Sequence, residues 1–285
     1  MIDAPTVLIT GATDGVGRGL ARRLATDGAR LVLHGRDPER LRATAAEIAG
    51  LQGGRAPTTL VADLADLAEV RRLASDLLAG TPRLDVLVSN AGIGFGLPEG
   101  RERLVSKDRH ELRFAVNYLA GFLLSLELLP LLRRSAPARI VYVASIGQHP
   151  IDFDDLMIEH GYSGIRAYGQ SKLAQIMSGL ELARRVPAEE VTVNSLHPAT
   201  FMPTKMVLQE MGHSVDSLEA GVAAVHRLVT DPQLAGVTGR FFDRTVEATP
   251  HAQAKDEAAR GELWRRSLGL VGHADLSEAP PARRA

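Results

Sequence analysis

The sequence contains no cysteine. That excludes disulfides, thiol catalysis and cysteine-ligated zinc, and it suits a reducing compartment. It also has no excess of one charge: 33 basic residues face 34 acidic ones, a formal net charge of −1. A nucleic-acid partner usually leaves a basic patch or stripe, so none is expected. Lysine is scarce, standing only at positions 107, 172, 205 and 255. No apolar run reaches the roughly 20 residues of a membrane span. The greasiest, Leu119–Leu132, carries Glu127 and Pro130 and reads as a buried helix. Residues 1–5 lack the basic start of a secretory signal. The expectation is a cytoplasmic protein without membrane contact.

What is present is a 285-residue chain, 45% hydrophobic, long enough to bury roughly three quarters of its unfolded surface. Short runs rich in Val, Ile and Leu read as buried strands: Thr6–Thr10, Arg30–Leu33, Thr58–Val61, Leu84–Ser89, Arg139–Ala144, Val191–Leu196 and Gly239–Phe242. Amphipathic segments alternate with them: Val16–Asp27, Pro38–Leu51, Leu67–Ala79, Arg109–Leu132, Ala167–Arg185 and Ser217–Thr230. Pro38 suits a first helical turn, with Asp37 as its cap. Strands apolar on both faces, each followed by a helix, predict an α/β Rossmann-type doubly wound parallel sheet of about seven strands. One domain over residues 1–250 is expected, with 251–285 a partly helical extension that frays at its end. Two long loops, 146–166 and 199–216, read as walls of a substrate site.

Thr10-Gly11-Ala12-Thr13-Asp14-Gly15-Val16-Gly17 follows the first strand and opens the first helix. Glycines there let the backbone approach a pyrophosphate, and the helix N-terminus offers free N–H groups. At the end of the second strand an acid accepts from the ribose 2′-hydroxyl of NAD, whereas an arginine suits the 2′-phosphate of NADP. Here Gly35 stands at the acidic position and Arg36 follows, with His34 and Arg40 able to assist. NADP(H) is favoured over NAD(H). Asp63-Leu64 either borders the adenine or, through Asp63, caps the helix starting near Asp66. Asn90-Ala91-Gly92 closes the fourth strand with residues small enough to pass close to a ribose.

Asn117 lies in an apolar helix, either on an exposed face or in a polar network. Tyr168 and Lys172 are four apart, which puts phenol and ammonium on one helix face. Ser145 ends the preceding strand, where such sheets place ligands. A metal or Ser-His hydrolase reading of His149, His160, His197, Asp152, Asp154 and Asp155 lacks the required spacings, so no metal is expected.

Taken together, these motifs resemble the short-chain dehydrogenase/reductase family over roughly residues 6–245. Phe153–Leu156, Tyr168–Ala174 and Leu263–Leu268 are similar to its retinol dehydrogenase-like branch, as is the 23-position interval between Ser145 and Tyr168. The resemblance implies that Ser145 and Tyr168 grip a substrate oxygen and Tyr168 transfers the proton. Lys172 favours the phenolate and binds the nicotinamide ribose, and Asn117 holds a water linking Lys172 to solvent. Pro198-Ala199-Thr200 stands where the family usually has Pro-Gly, so the nicotinamide amide meets Thr200 or Thr204. The implied activity is NADP-dependent reduction of a lipophilic ketone or aldehyde. Phe95, Ile146, His149, Phe153, Phe201, Met202 and Met206 are the candidate pocket residues. A non-redox enzyme of this fold (dehydratase, epimerase or cyclase) and a turnover-free NADP sensor are the rivals. The apolar helices 109–132 and 167–185 suggest a homodimer or homotetramer.

Overall fold

The computed structural model describes residues 4–96, 102–204, 207–208 and 211–276. Its centre is one eight-stranded sheet in the order β3-β2-β1-β4-β5-β6-β7-β8. The strands are β1 Thr6–Ile9, β2 Arg30–Gly35, β3 Thr58–Val61, β4 Val86–Ser89, β5 Ala138–Val143, β6 Val191–His197, β7 Arg240–Asp243 and β8 Val246–Ala248. All seven expected strands are found and pair in parallel. The sequence reading missed β8, a three-residue strand that returns antiparallel on β7. It also took Thr58–Val61 as buried, but β3 is the sheet edge and is largely exposed.

Helices α1 Gly15–Thr26, α2 Pro38–Leu51, α3 Leu67–Gly80, α4 Ala120–Arg134, α5 Gly164–Arg185 and α6 Leu218–Thr230 cover the sheet, and α7 Glu257–Val271 follows. Their starts are written in the sequence. The Asp37 carboxylate accepts from the N–H groups of Glu39 and Arg40, with Pro38 opening α2. Asp66 caps α3, Ser163 caps α5 and Ser217 caps α6 in the same way. The helix expected over 109–132 is not uniform. Phe114–Leu119 is a π-helical turn leading into α4, and such turns are frequent at functional sites.

Two apolar clusters lie on opposite faces of the sheet. The C-terminal extension belongs to the first of them. Leu263, Trp264, Leu268 and Val271 of α7 are buried there; Trp264 meets Phe122 edge-on at 5.0 Å, and the hydroxyls of Tyr118 and Ser267 lie 2.7 Å apart. Within the same chain α7 packs along α5 and its Trp264 reaches Phe122 of α4, so it covers part of the apolar helix surface. Among the described residues, the one helix long and apolar enough to cross a membrane is Phe114–Arg134, and 83% of its apolar window is buried in the protein. The expected frayed end, from residue 279, lies outside the described residues.

Candidate active site

The C-terminal ends of the parallel strands open into a cleft of about 1420 Å³. A single small-molecule pocket spans about 300–1,000 Å³, so this cleft has room for a dinucleotide beside a second molecule. Its wall carries Gly11, Thr13, Asp14, Gly15, Val16, His34, Arg36, Arg40, Asp63, Leu64, Asn90, Ala91 and Gly92, then Ser145, Tyr168, Lys172, Pro198, Ala199 and Thr200. Of the site residues expected from sequence, Gly17 and Asn117 do not line it. Both stand behind the wall and shape it.

Gly17 shows why the glycine motif is needed. A β-carbon there would lie 2.3 Å from the Gly11 carbonyl oxygen and 2.6 Å from Asn90 Nδ2. The loop therefore folds onto the start of α1 with no room for a side chain. Asn90 spends its amide on that loop, donating to the carbonyls of Thr10 and Gly11. The Thr10 hydroxyl, which the sequence reading passed over, accepts from the N–H groups of Asn90 and Ala91. The first intrahelical bond of α1 runs from Arg18 N–H to Asp14 O. Gly15 N–H is capped by the Asp14 carboxylate, which leaves Val16 and Gly17 N–H without intrahelical partners.

The end of β2 divides the roles expected of its basic residues. His34 is buried; Gly11 N–H donates to its Nδ1 (3.3 Å), and its Nε2 lies 3.1 Å from the Ala62 carbonyl. Burial holds its pKa below the usual histidine value. It is a neutral brace for the glycine loop, not a cation for a phosphate. Arg40 donates to the Thr13 carbonyl and to Asp14. Arg36 is exposed on the rim and has no side-chain partner among the described residues. Asp37, the nearest acid, is committed to capping α2. Arg36 and Asp37 both line the cleft at this strand end. Asp63 is on the cleft wall and accepts from Ala65 N–H; the cap of α3 is Asp66.

At the other end, β5 delivers Ser145 and α5 delivers Tyr168 and Lys172. A β-carbon placed on Gly147 would stand 3.4 Å from Ser145 Oγ and 3.9 Å from Tyr168 Cε1, so both side chains flank one spot. Lys172 is 5% exposed. Its Nζ donates to the Val143 carbonyl (2.9 Å) and to Gln175 Oε1 (3.0 Å), and lies 5.7 Å from the centre of the Tyr168 ring. Burial pulls its pKa down to about 7. Gln175 was missed from sequence, although its position three residues beyond Lys172 on one helix was the available signal.

Asn117 belongs to a polar network. Ile93 N–H donates to its Oδ1, while Nδ2 donates to the Ile93 carbonyl and to Ser171 Oγ. Both amide protons are spent, so a water that it holds must use an oxygen. The Thr200 hydroxyl lies 3.1 Å from His197 Nε2 and its N–H donates to Asp216. Thr204 leans on the phosphate loop: a β-carbon on Gly15 would stand 2.8 Å from its Cγ2.

Phe95, Ile146, His149, Phe201 and Met202 line the substrate end, joined by Leu112, Val116, Ile165, Val207 and Met211. Phe153 does not. It packs beneath Arg266 of α7 at 5.5 Å, so two of the three segments that suggested the retinol dehydrogenase-like branch meet each other. Met206 lies outside the described residues. The acidic loop serves itself, with Asp152 pairing with Arg166 and Asp155 accepting from the N–H groups of Glu159 and His160. Among the described residues no group of three His, Asp or Glu side chains is placed to hold a metal.

Comparison with known proteins agrees with this geometry. The family profile described as short chain dehydrogenase matches residues 5–213. Human retinol dehydrogenase 14 (Homo sapiens) is 35% identical over 300 residues, covering 95% of this chain and 88% of its own. DnrU of Streptomyces sp. (strain C5), assigned as a daunorubicin C-13 ketoreductase, is 38% identical over 284 residues, covering 94% and 92%. A protein of Escherichia coli CFT073 described as a short chain dehydrogenase and crystallised with NADPH superposes with a TM-score of 0.69 at 28% identity, covering 84% and 96%.

Proposed function

Because the chain belongs to the short-chain dehydrogenase family, in its retinol dehydrogenase-like branch, we propose that it reduces the carbonyl of a lipophilic ketone or aldehyde with NADPH. Its relatives are named dehydrogenases and ketoreductases, and the chain is an oxidoreductase acting between CH–OH and C=O. The observation that carries the proposal is that Ser145 and Tyr168 flank one spot on the cleft wall, with the Lys172 ammonium beside the Tyr168 ring.

Bound in this cleft, the dinucleotide supplies the hydride. Its phosphates suit the open N–H groups at the start of α1, and Arg36 suits a 2′-phosphate, which a guanidinium can grip through two parallel charge-assisted bonds. A relative's crystal structure with NADPH supports the same choice. The residues then act on the substrate oxygen. Ser145 Oγ and the Tyr168 hydroxyl hold it, and Tyr168 gives it a proton as charge builds there. Lys172, with its Nζ 5.7 Å from the Tyr168 ring centre, sits where an ammonium stabilises phenolate over phenol. Positioned acid catalysis of this kind contributes about 10²–10⁴-fold. The apolar wall accepts a lipophilic body and keeps water from the oxygen. We place this work in the cytosol, a setting in keeping with a chain that has no cysteine.

Turnover of a panel of lipophilic ketones and aldehydes tests the reading. NADPH consumption faster than NADH consumption, lost in Tyr168→Phe, supports it. Product formed without cofactor consumption points to a non-redox enzyme, and tight NADPH binding with no turnover to a sensor. A sensor, however, has no use for the Ser145–Tyr168 pairing.

A further inference from the structure

Among the described residues, Glu111 and Arg113, outside the catalytic group, are charged side chains with no exposed surface. They precede the π-helical turn that carries Asn117, and the chemistry above does not use them. Arg113 Nε donates to the Gly94 carbonyl (2.7 Å), Nη2 to the Phe95 carbonyl (3.2 Å) and Nη1 to the Tyr162 hydroxyl (2.8 Å). Tyr162 passes its own proton to Glu111 Oε1 at 3.0 Å, and Glu111 Oε2 accepts from Phe114 N–H. The direct Arg113–Glu111 separation is 3.8 Å, so the phenol is the bridge between the charges. Burial pushes the Tyr162 pKa to about 12, which keeps it a donor.

The partners lie on two different segments of the cleft wall. Gly94 and Phe95 follow the end of β4, where no neighbouring strand satisfies their carbonyls, and buried carbonyls need a donor. Tyr162 stands in the loop between Ser145 and α5. Phe95 in turn sets its ring edge against the Tyr168 ring, with centres 6.1 Å apart and planes at 76°. The guanidinium serves two carbonyls and a phenol from three separate nitrogens, a spread that the single nitrogen of a lysine does not have.

We propose that Arg113 is a positioning residue for substrate binding: with Glu111 and Tyr162 it clamps the Gly94–Phe95 turn to the loop before α5, so that Phe95 keeps its edge on Tyr168 and fixes the width of the substrate entrance. The inference rests on the oxidoreductase reading, in which Tyr168 meets the substrate oxygen. Arg113→Ala is a poor test, because it strands Glu111 as an unpaired buried charge and endangers folding. Tyr162→Phe removes only the bridging hydroxyl, and Arg113→Lys keeps the charge while losing the fork.

The experiment measures KM for a bulky ketone, kcat and NADPH Kd in both variants, with amide hydrogen exchange over residues 90–96 and 156–163. Tyr162→Phe is expected to raise KM about tenfold, the scale of a lost hydrogen bond to a charged group. kcat is expected to stay within about twofold and NADPH Kd unchanged, while exchange quickens in both segments. Arg113→Lys is expected to raise KM further. Faster exchange with unchanged KM makes the clamp merely structural and overturns the proposal. So does unchanged exchange over 90–96, or a rise in NADPH Kd that matches the rise in KM. If Arg113→Lys does not fold, Tyr162→Phe decides. A wild-type protein idle on every carbonyl contradicts the oxidoreductase reading instead, and the exchange of residues 90–96 still decides the clamp.

Discussion

Lys172 Nζ donates to Gln175 Oε1 at 3.0 Å, less than one helical turn along α5, and both side chains are buried. The ammonium is costly to bury, and its two acceptors, Gln175 and the Val143 carbonyl, are what offset that cost. Gln175→Leu removes one of them. The Lys172 pKa, which burial already draws down to about 7, should therefore fall further, because the lost hydrogen bond favoured the charged form. The charged lysine is the useful form, so it is lost at lower pH. The alkaline limb of the kcat/KM profile is expected to move to lower pH. A limb that stays in place would show that Gln175 does not support the charge.

Cofactor binding should take up a proton. In the free protein Lys172 has a pKa of about 7, so at pH 8 it is mostly neutral. Ribose hydroxyls and phosphate anions favour its ammonium form, which raises the pKa in the complex. NADPH affinity therefore weakens as pH rises above about 7, by at most about tenfold per unit for one linked proton. Calorimetry at pH 8 in buffers of different ionisation enthalpy reads the uptake. It is expected in the wild type and absent in Lys172→Met.

Gly17→Ala puts a methyl group 2.3 Å from the Gly11 carbonyl. The contact is with backbone, so the loop itself must shift. Overpacking of this kind costs about 1–3 kcal/mol, and the displaced loop no longer presents its N–H groups. A lower Tm together with lost NADPH binding is the expected result. A variant that binds NADPH normally would show that the loop geometry is not what holds the phosphates.

Arg36→Ala should separate the two dinucleotides. Loss of charge-assisted bonds to a 2′-phosphate weakens NADPH binding by about ten- to a hundredfold, while NADH binding changes little. Equal effects on both would remove Arg36 from the choice.

Much of the site was legible because its parts are local. A glycine loop between strand and helix, a Tyr and Lys four apart, and Asp37 before Pro38 each carry their geometry in their spacing. What escaped depends on contacts between distant segments. Arg113 reaches Tyr162, 49 positions away, with no local pattern to announce it. Gly17 was expected at the cofactor and Asn117 among the catalytic residues, but spacing does not tell whether a residue faces a cleft or stands behind it. Thr-Thr-Leu-Val at 58–61 has the composition of a buried strand; only its place at the sheet edge exposes it. The apolar positions around Trp264 are too few to reveal from sequence that α7 completes the core.

Hydride transfer is the central claim, and single turnover with NADPH deuterated at the reactive nicotinamide carbon tests it most directly. With a reducible lipophilic ketone, mass spectrometry is predicted to find one deuterium on the carbinol carbon of the product, and none formed by Tyr168→Phe. A product without deuterium, or one released while the labelled cofactor stays intact, would contradict the account.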